Sequence, residues 1–182
     1  MAHYTLFDSA IGTCGLAWHD HDSSPRILAV GLPERRPDAV ARRLARVYGA
    51  TPAASGPVAD VVAGICGHVS GTIDDLRWVD VDLDSVTDFD RAVYHVTRRI
   101  DPGRTLSYGE VARQIGHPGA AQAVGQALGR NPIPLIIPCH RGLGAGNSIG
   151  GFSAFRGTAT KRALLEIEGV AGFTHQALFG LD

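Results

Sequence analysis

The sequence predicts an α/β (α+β) protein: an N-terminal β-sheet-plus-helix domain packed on a mostly helical C-terminal domain that contains a helix-turn-helix. Three observations predict this. Short runs near the start alternate apolar and polar residues, helical spacing dominates beyond residue 86, and two short helical stretches there flank a Gly-His-Pro-Gly turn. The change of texture places the domain boundary at 86, giving units 1–86 and 87–182.

Residues 4–9 and 13–19 read as a hairpin around Ala10-Ile11-Gly12, and 26–32 as a third strand that Pro33 ends. Residues 37–48 carry Val40, Leu44 and Val47 at helical spacing, with arginines on the opposite face. The small-residue stretch 50–57 reads as a linker, and 58–69 as a second helix that Gly64 and Gly67 weaken. Residues 78–83 alternate apolar side chains with aspartate, as a further strand would. Thr87 followed by Asp90 resembles a capping box and opens a helix to Ile100, with Phe89, Val93, Val96 and Ile100 on one face; Asp101-Pro102-Gly103 stops it. Ser107 is an N-cap for a short helix over 108–115, with Glu110 in the first turn, where the helix dipole favours negative charge. After Gly116-His117-Pro118-Gly119 comes a second short helix, 120–128, of small residues, completing the helix-turn-helix pattern. Asn131-Pro132-Ile133-Pro134 predicts an extended path, because each proline holds its predecessor out of the helical region. Leu135-Ile136-Ile137 is a buried run, and Pro138 presents Cys139 at its end. A glycine-rich loop over 142–151 precedes a closing helix, 158–168, with Leu164 and Leu165 inward and Gly169 as its stop.

Composition excludes some classes of function. With 45% hydrophobic and 19% charged residues, the 182-residue chain is that of an ordinary globular protein. No apolar run approaches the roughly 18–20 residues needed to span a bilayer. The start, Met1-Ala2-His3-Tyr4-Thr5, lacks a charged segment followed by an apolar one, so we expect no secretion signal and a cytoplasmic location. Cys14, Cys66 and Cys139 are odd in number and follow no framework, which predicts reduced thiols. Cys14 and Cys66 read as small core hydrophobes. The net charge of −1 is unevenly spread: residues 1–86 carry 7 Lys/Arg against 11 Asp/Glu, and 87–182 carry 10 against 7. A basic second half is compatible with phosphate contacts.

Cys139 is the residue that needs its own account. A thiol attacks as thiolate, and an unperturbed one is mostly protonated at neutral pH, so it needs a base or cation beside it. His140 is adjacent in sequence, but neighbouring side chains on an extended backbone point apart; contact requires a turn or a bridging water. A carboxylate behind the imidazole would fix its tautomer. Glu168, Glu166 and Glu110 are the nearest acidic residues along the chain, and pattern alone does not choose among them. An inert buried thiol beside a surface histidine is the alternative, but the proline-braced approach and glycine-rich loop are features of segments that position function.

The run Asn-Pro-Ile-Pro-Leu-Ile-Ile-Pro-Cys-His-Arg over 131–141 resembles the active-site signature of the O6-alkylguanine-DNA alkyltransferases (methylated-DNA–protein-cysteine methyltransferases). The likeness extends through Ser107-Tyr108-Gly109-Glu110-Val111-Ala112, Ala120-Ala121-Gln122-Ala123-Val124-Gly125, Gly150-Gly151-Phe152-Ser153 and 161–169, and so spans nearly all of 87–169; Asp8-Ser9-Ala10-Ile11-Gly12 is the best match before it. The resemblance implies a suicide repair protein that moves an alkyl group from O6-alkylguanine, and by extension O4-alkylthymine, in duplex DNA to Cys139 after flipping the nucleotide. It implies His140 as water-linked base, Glu168 as the carboxylate orienting it, and Asn131 as a brace for the turn. Tyr108 would drive rotation of the nucleotide and share the proton that guanine needs on leaving, Ser153 would hydrogen-bond the alkylated oxygen, and Phe152 would line the substrate site. Ala120, Ala121, Ala123 and Gly125 give a low-relief surface suited to the minor groove, with Gln122, Arg130 and Arg141 as further DNA contacts. A tight helix–helix contact would use the same small residues. A monomer with no cofactor and no membrane partner is implied.

The sequence departs from that family at several points. Gln122 stands where an arginine is usual, Gly142 where an aliphatic residue often follows the signature arginine, and Phe152 where a tyrosine is frequent; the 153–157 loop is longer. Phe155 and Arg156 in that loop would narrow the alkyl pocket, touch DNA or stay solvated. Some relatives hold a structural zinc, but His3, Cys14, His19, His21 and His68 lack the tight ligand spacing of such a site, so no metal is expected. His95, His117 and His175 read as surface or packing residues. Two other classes of function remain in view. One is a sensor that binds alkylated bases without repair, which the presence of Cys139 argues against. The other is a Cys-His-Glu hydrolase, for which no oxyanion hole is signalled.

Overall fold

In the computed structural model, which describes residues 1–21, 24–36, 38–150 and 157–173, the chain opens with the expected hairpin. β1 (Ala2–Ser9) and β2 (Gly12–His21) pair antiparallel from Ala2 opposite His19 to Ser9 opposite Gly12. Only Ala10 and Ile11 lie between them, and Gly12 takes φ 121°, which a side chain would resist. β3 (Ser24–Gly31) continues the sheet on the far side of β2. The 50–57 stretch, read as a linker, instead supplies β4 (Thr51–Pro52), a parallel edge strand on β1, giving the order β3-β2-β1-β4. Proline is tolerated there because its neighbour Ala53 makes the hydrogen bond to the Tyr4 carbonyl, at 2.9 Å.

α1 (Ala39–Tyr48) covers one sheet face, packing Val40 and Leu44 on Ala17 and Ala29. Val47, expected on the same stripe, is 57% exposed: it lies at the edge of the helix face, beside an open cleft shared with Leu28 and Tyr48. The other sheet face meets α2 (Ala59–Val69), which follows a single 3-10 turn at Gly56–Val58 and is not broken by its glycines. The expected strand at 78–83 forms only one bridge, Val81 with Ile27. Its alternation reported burial correctly, since Val79, Val81 and Leu83 are buried. Pairing stops because Asp82 Oδ1 accepts the Asp84 N–H at 2.9 Å, a local turn that leads the chain off the sheet.

The second half is helical. Thr87 caps α3 (Asp88–Arg98) through the Asp90 N–H, and Ser107 with Glu110 forms a complete capping box on α4 (Tyr108–Gln114). α5 (Ala121–Gly129) follows the glycine turn, with Gly116 and Gly119 both at positive φ, and packs against α4. The Tyr94 hydroxyl donates to the Ala127 carbonyl at 2.9 Å, tying α3 to α5. A parallel pairing absent from the sequence reading joins β5 (Leu106–Ser107) to β6 (Gly142–Leu143). α6 (Thr158–Ile167) closes the described chain, ending at Glu168 and Gly169 with φ 70° at the glycine.

The segment 131–134, expected to be extended, bends at Pro132 and Ile133 instead. Ile137 N–H bonds the Ile133 carbonyl at 2.8 Å and Leu135 sits at φ 74°, so the apolar run folds into a tight turn buried on all sides. One apolar cluster crosses residue 86: Leu16, Trp18 and Ile27 of the sheet pack with Ile65 of α2, Val93 of α3 and Ile136 of this turn. The sheet edge also bonds it directly, Val30 N–H to the Pro132 carbonyl at 3.0 Å. Among the described residues no helix is long and apolar enough to cross a membrane.

Candidate active site

After Pro138 the chain turns again. Cys139 N–H bonds the Ile137 carbonyl at 2.7 Å and Arg141 N–H the Pro138 carbonyl at 2.9 Å, closing a 3-10 turn over Cys139–Arg141. The turn supplies what extended backbone lacks, and the three consecutive buried side chains belong to one site. Asn131 spans the preceding turn: its Nδ2 donates to the Ile137 carbonyl at 2.8 Å, and its Oδ1 accepts the Ile133 N–H at 3.0 Å.

Of the three nearby acids, Glu168 meets the imidazole. His140 Nε2 lies 2.7 Å from Glu168 Oε1, whereas Glu110 is engaged with the Ser107 N–H and Glu166 is exposed on α6. His140 is fully buried and its Nδ1 has no partner among the described residues. With Nε2 donating to the carboxylate, Nδ1 is left as a free lone pair, able to take a proton. Arg141 completes the cluster, giving Nε to Glu168 Oε2 at 3.0 Å, Nη2 to Oε1 at 2.8 Å and Nη1 to the Ile100 carbonyl at 2.6 Å. Arg141 is therefore not the DNA contact expected of it. It is 1% exposed, and Glu168 and the α3 terminus hold its fork.

The charges follow from these contacts. Burial alone would raise the Glu168 carboxyl, but hydrogen bonds from His140, His68 and Arg141 overcome it and hold the group far below the usual carboxylate range. Burial lowers His140 against the opposing pull of Glu168, and Arg141 and His68 add to the lowering. Burial pushes the Cys139 thiol up, while Asn131, Lys161 and the Cys139 and His140 backbone N–H groups pull it down. Cys14, by contrast, is a core thiol that burial raises to about 11.

Lys161 and His68 were missed by sequence reasoning. Lys161 is fully buried on α6, donates to the Gly142 carbonyl at 2.6 Å and lies 5.7 Å from the Tyr108 ring centre. Its signal was periodicity: Lys161, Leu164, Leu165 and Glu168 share one helical face. His68 occupies the buried face of α2 with Val61 and Ile65, and reaches Glu168 Oε1 at 2.9 Å.

Tyr108, at the start of α4, is half-buried with its ring edge against α5. A Cβ at Gly125 would come within 3.0 Å of the ring, and one at Gly150 would collide with the hydroxyl. Gly125 thus accommodates Tyr108 rather than forming part of a smooth outer surface. Alanine normally gains about 1 kcal/mol over glycine inside a helix. Gly125→Ala is instead expected to lower the melting temperature, because Gly142 and Gly150 flank the Tyr108 ring and leave it no retreat. Thermal unfolding of the two chains checks this.

Gln122 is exposed on the first turn of α5, with Ala120, Ala121 and Ala123 half-buried around it. Arg130 is also largely exposed, but Asp90 holds its guanidinium through two bonds of 2.8 and 2.9 Å. Ser153, Phe152, Phe155, Arg156 and His175 lie outside the described residues. His95 and His117 are exposed, the latter with its edge on Phe89. His19 Nε2 lies 2.8 Å from Asp82 Oδ2. Among the described residues one trio brings possible metal-ligand atoms within 4.8 Å of one another, namely His68, His140 and Glu168. It fits a cation poorly: the Arg141 fork occupies the same carboxylate, and His68 Nδ1 accepts the Asp74 N–H at 3.2 Å, which leaves the ring proton on Nε2.

Residues 88–170 match the family described as 6-O-methylguanine DNA methyltransferase, DNA binding domain. Among curated relatives, the methylated-DNA–protein-cysteine methyltransferase of Mycobacterium bovis is 47% identical over 56% of this chain, and the match spans 66% of that relative, just under two thirds. That of Mycobacterium leprae is 39% identical over 70% of this chain and 72% of its own length. The structure of Mycobacterium tuberculosis OGT in complex with DNA superposes with a TM-score of 0.71 at 35% identity, covering 91% of this chain and 92% of that one.

Proposed function

Because the chain belongs to the 6-O-methylguanine DNA methyltransferase family, we propose that it repairs O6-alkylguanine in duplex DNA by taking the alkyl group onto Cys139, one lesion per molecule. The observation that carries this is the buried imidazole of His140, next in sequence to the buried thiol of Cys139, held by Glu168 through one nitrogen and open at the other. The thiol proton passes by way of a water molecule to His140 Nδ1. The sulfur then attacks the alkyl carbon, a C–S bond forms as the C–O6 bond breaks, and the electron pair leaves with guanine. Tyr108 gives a proton to the leaving base and is reprotonated, through water, from the His140 imidazolium, so the net transfer is one proton from thiol to guanine. The product thioether has no hydrolytic exit, which makes the reaction single-turnover.

O6 lies inside the base stack, so the nucleotide must be extruded at a cost of a few kcal/mol. α5, with Gln122 exposed among small residues, is the element we assign to the minor groove. The protein acts as a monomer in the cytoplasm, with residues 1–86 supporting the reactive unit 87–182. Incubation with excess O6-methylguanine duplex, read by intact mass, should show one methyl on Cys139 and no more. Binding with no mass change would favour a lesion sensor, and repeated turnover of an ester a hydrolase.

Gln122 is shorter than the arginine usual in relatives and lacks its planar fork and charge. Gln122→Arg is expected to tighten duplex binding and speed repair, read by titration and rapid-quench kinetics on the same duplex. Equal constants for the two proteins would count against α5 as the element that holds the flipped state.

A further inference from the structure

We propose that His68 is a positioning residue for the transfer: its Nε2–H holds Glu168 Oε1 and so sets the carboxylate that orients His140. The inference rests on the alkyl-transfer reading for its consequence, but its geometry stands apart. His68 lies on α2, outside the matched residues 88–170, and is 1% exposed. Its Nδ1 accepts the Asp74 N–H at 3.2 Å, so the ring proton is on Nε2 and points at Glu168 Oε1 across 2.9 Å. The loop that supplies this N–H is itself fixed. Asp74 Oδ1 accepts the Leu76 N–H at 2.8 Å, its Oδ2 accepts Trp78 Nε1–H at 3.1 Å, and Leu76 is held at φ 54° with its side chain fully buried. A leucine in the left-handed region costs the fold energy, and here that conformation presents one amide to one imidazole.

Oε1 of Glu168 therefore receives His140 at 2.7 Å, Arg141 Nη2 at 2.8 Å and His68 at 2.9 Å. Every donor on an oxygen draws charge from it and weakens what the others receive. The His68 proton keeps Glu168 from pulling too strongly on the His140 proton, so the imidazole rests as a base and not as an imidazolium. The charged and titratable groups around this point are Arg141 on the same carboxylate, Asp101 beyond Arg141, and Lys161 and Tyr108 on the Cys139 side. None of them can replace a neutral donor at Oε1.

Two variants of the full chain test this. His68→Gln places an amide N–H near the position of Nε2, whereas His68→Asn keeps an acceptor for the Asp74 N–H but cannot reach Glu168. Two rates are followed against pH: methyl transfer from O6-methylguanine duplex, and iodoacetamide labelling of Cys139 read by peptide mass, which needs no DNA. In His68→Asn the acid limb of both profiles should move up by roughly half to one pH unit, as a carboxylate relieved of one donor holds His140 protonated further. His68→Gln should restore the limb. A uniform slowing with the limb unmoved, or Gln behaving as Asn, would reduce His68 to a packing residue and overturn the proposal. Loss of DNA transfer in the wild-type chain with the labelling shift intact would reject the alkyl-transfer reading and uphold the hold on Glu168. Should His68→Asn fail to fold, imidazole nitrogen NMR of the wild-type chain decides: a proton on His68 Nδ1 overturns the assignment, and a bare Nδ1 with protonated Nε2 supports it.

Discussion

Glu168→Gln is expected to remove about 3–5 kcal/mol of stability and to stop alkyl transfer, although the substitution changes only one oxygen to an amide nitrogen. The wild-type carboxylate accepts from His140, His68 and Arg141 in a buried site. A glutamine brings two donors into a space already lined with donors, and leaves the buried Arg141 guanidinium with no counter-charge. Folding stability should also change its response to acid. Glu168 is held far below its ordinary value of 4.5, so the unfolded chain binds its proton first. The stability it supplies is complete above about pH 4.5 and is lost as pH falls below that, towards the depressed folded value. His140, lowered from 6.5 by burial, acts in the same direction over a higher window: the unfolded chain takes its proton first, so stability drops as pH falls through 6.5. Urea unfolding at a series of pH values should therefore show the wild-type chain losing stability through both windows. The Glu168→Gln chain should start lower and lack the steep fall below 4.5. An unchanged slope there would mean that Glu168 is not the ionised partner of this cluster.

That cluster marks how far the sequence could be read. The starts of α3 and α4 were legible because each carries its own chemistry: Thr87 with Asp90, and Ser107 with Glu110, satisfy amide donors within four residues of themselves. The parallel pairing of β5 with β6 and the edge strand at Thr51–Pro52 were not legible, since two-residue strands have no period to detect. At the site, Cys139 and His140 stood out through their surroundings, but the carboxylate was one of three until the resemblance singled out Glu168. Arg141 was misassigned because an arginine beside a proposed DNA site reads as a phosphate ligand. Only the fold reveals that the Ile100 carbonyl and Glu168 enclose it. His68 is separated from Glu168 by 100 residues, and no local pattern encodes a contact made by α2 packing across the turn that presents the thiol.

Replacing the acceptor itself should have the largest effect on chemistry and a small one on everything else. Cys139→Ser preserves the 3-10 turn, the backbone bonds to Ile137 and Pro138, and the packing beneath α5. What it removes is acidity and nucleophilicity. The groups that draw the thiol towards ionisation, Asn131, Lys161 and two backbone amides, already work against the burial that raises it. An alcohol is a far weaker acid than a thiol, so the same groups cannot yield an alkoxide, and the softer sulfur is also the better partner for an alkyl carbon. Transfer should fall by at least about a thousandfold, below detection in a single-turnover assay. Affinity for a duplex bearing O6-methylguanine should stay within a few-fold of wild type, because no DNA-facing residue has changed. Cys139→Ala should behave the same way in both measurements. The pair separates acceptor from architecture: if Cys139→Ser lost DNA binding while Cys139→Ala kept it, a misplaced hydroxyl would be the cause. If either variant still received the methyl group, the acceptor would be another residue, and Cys66, half-buried with its thiol 3.5 Å from the Asp8 carbonyl, is the first thiol to test.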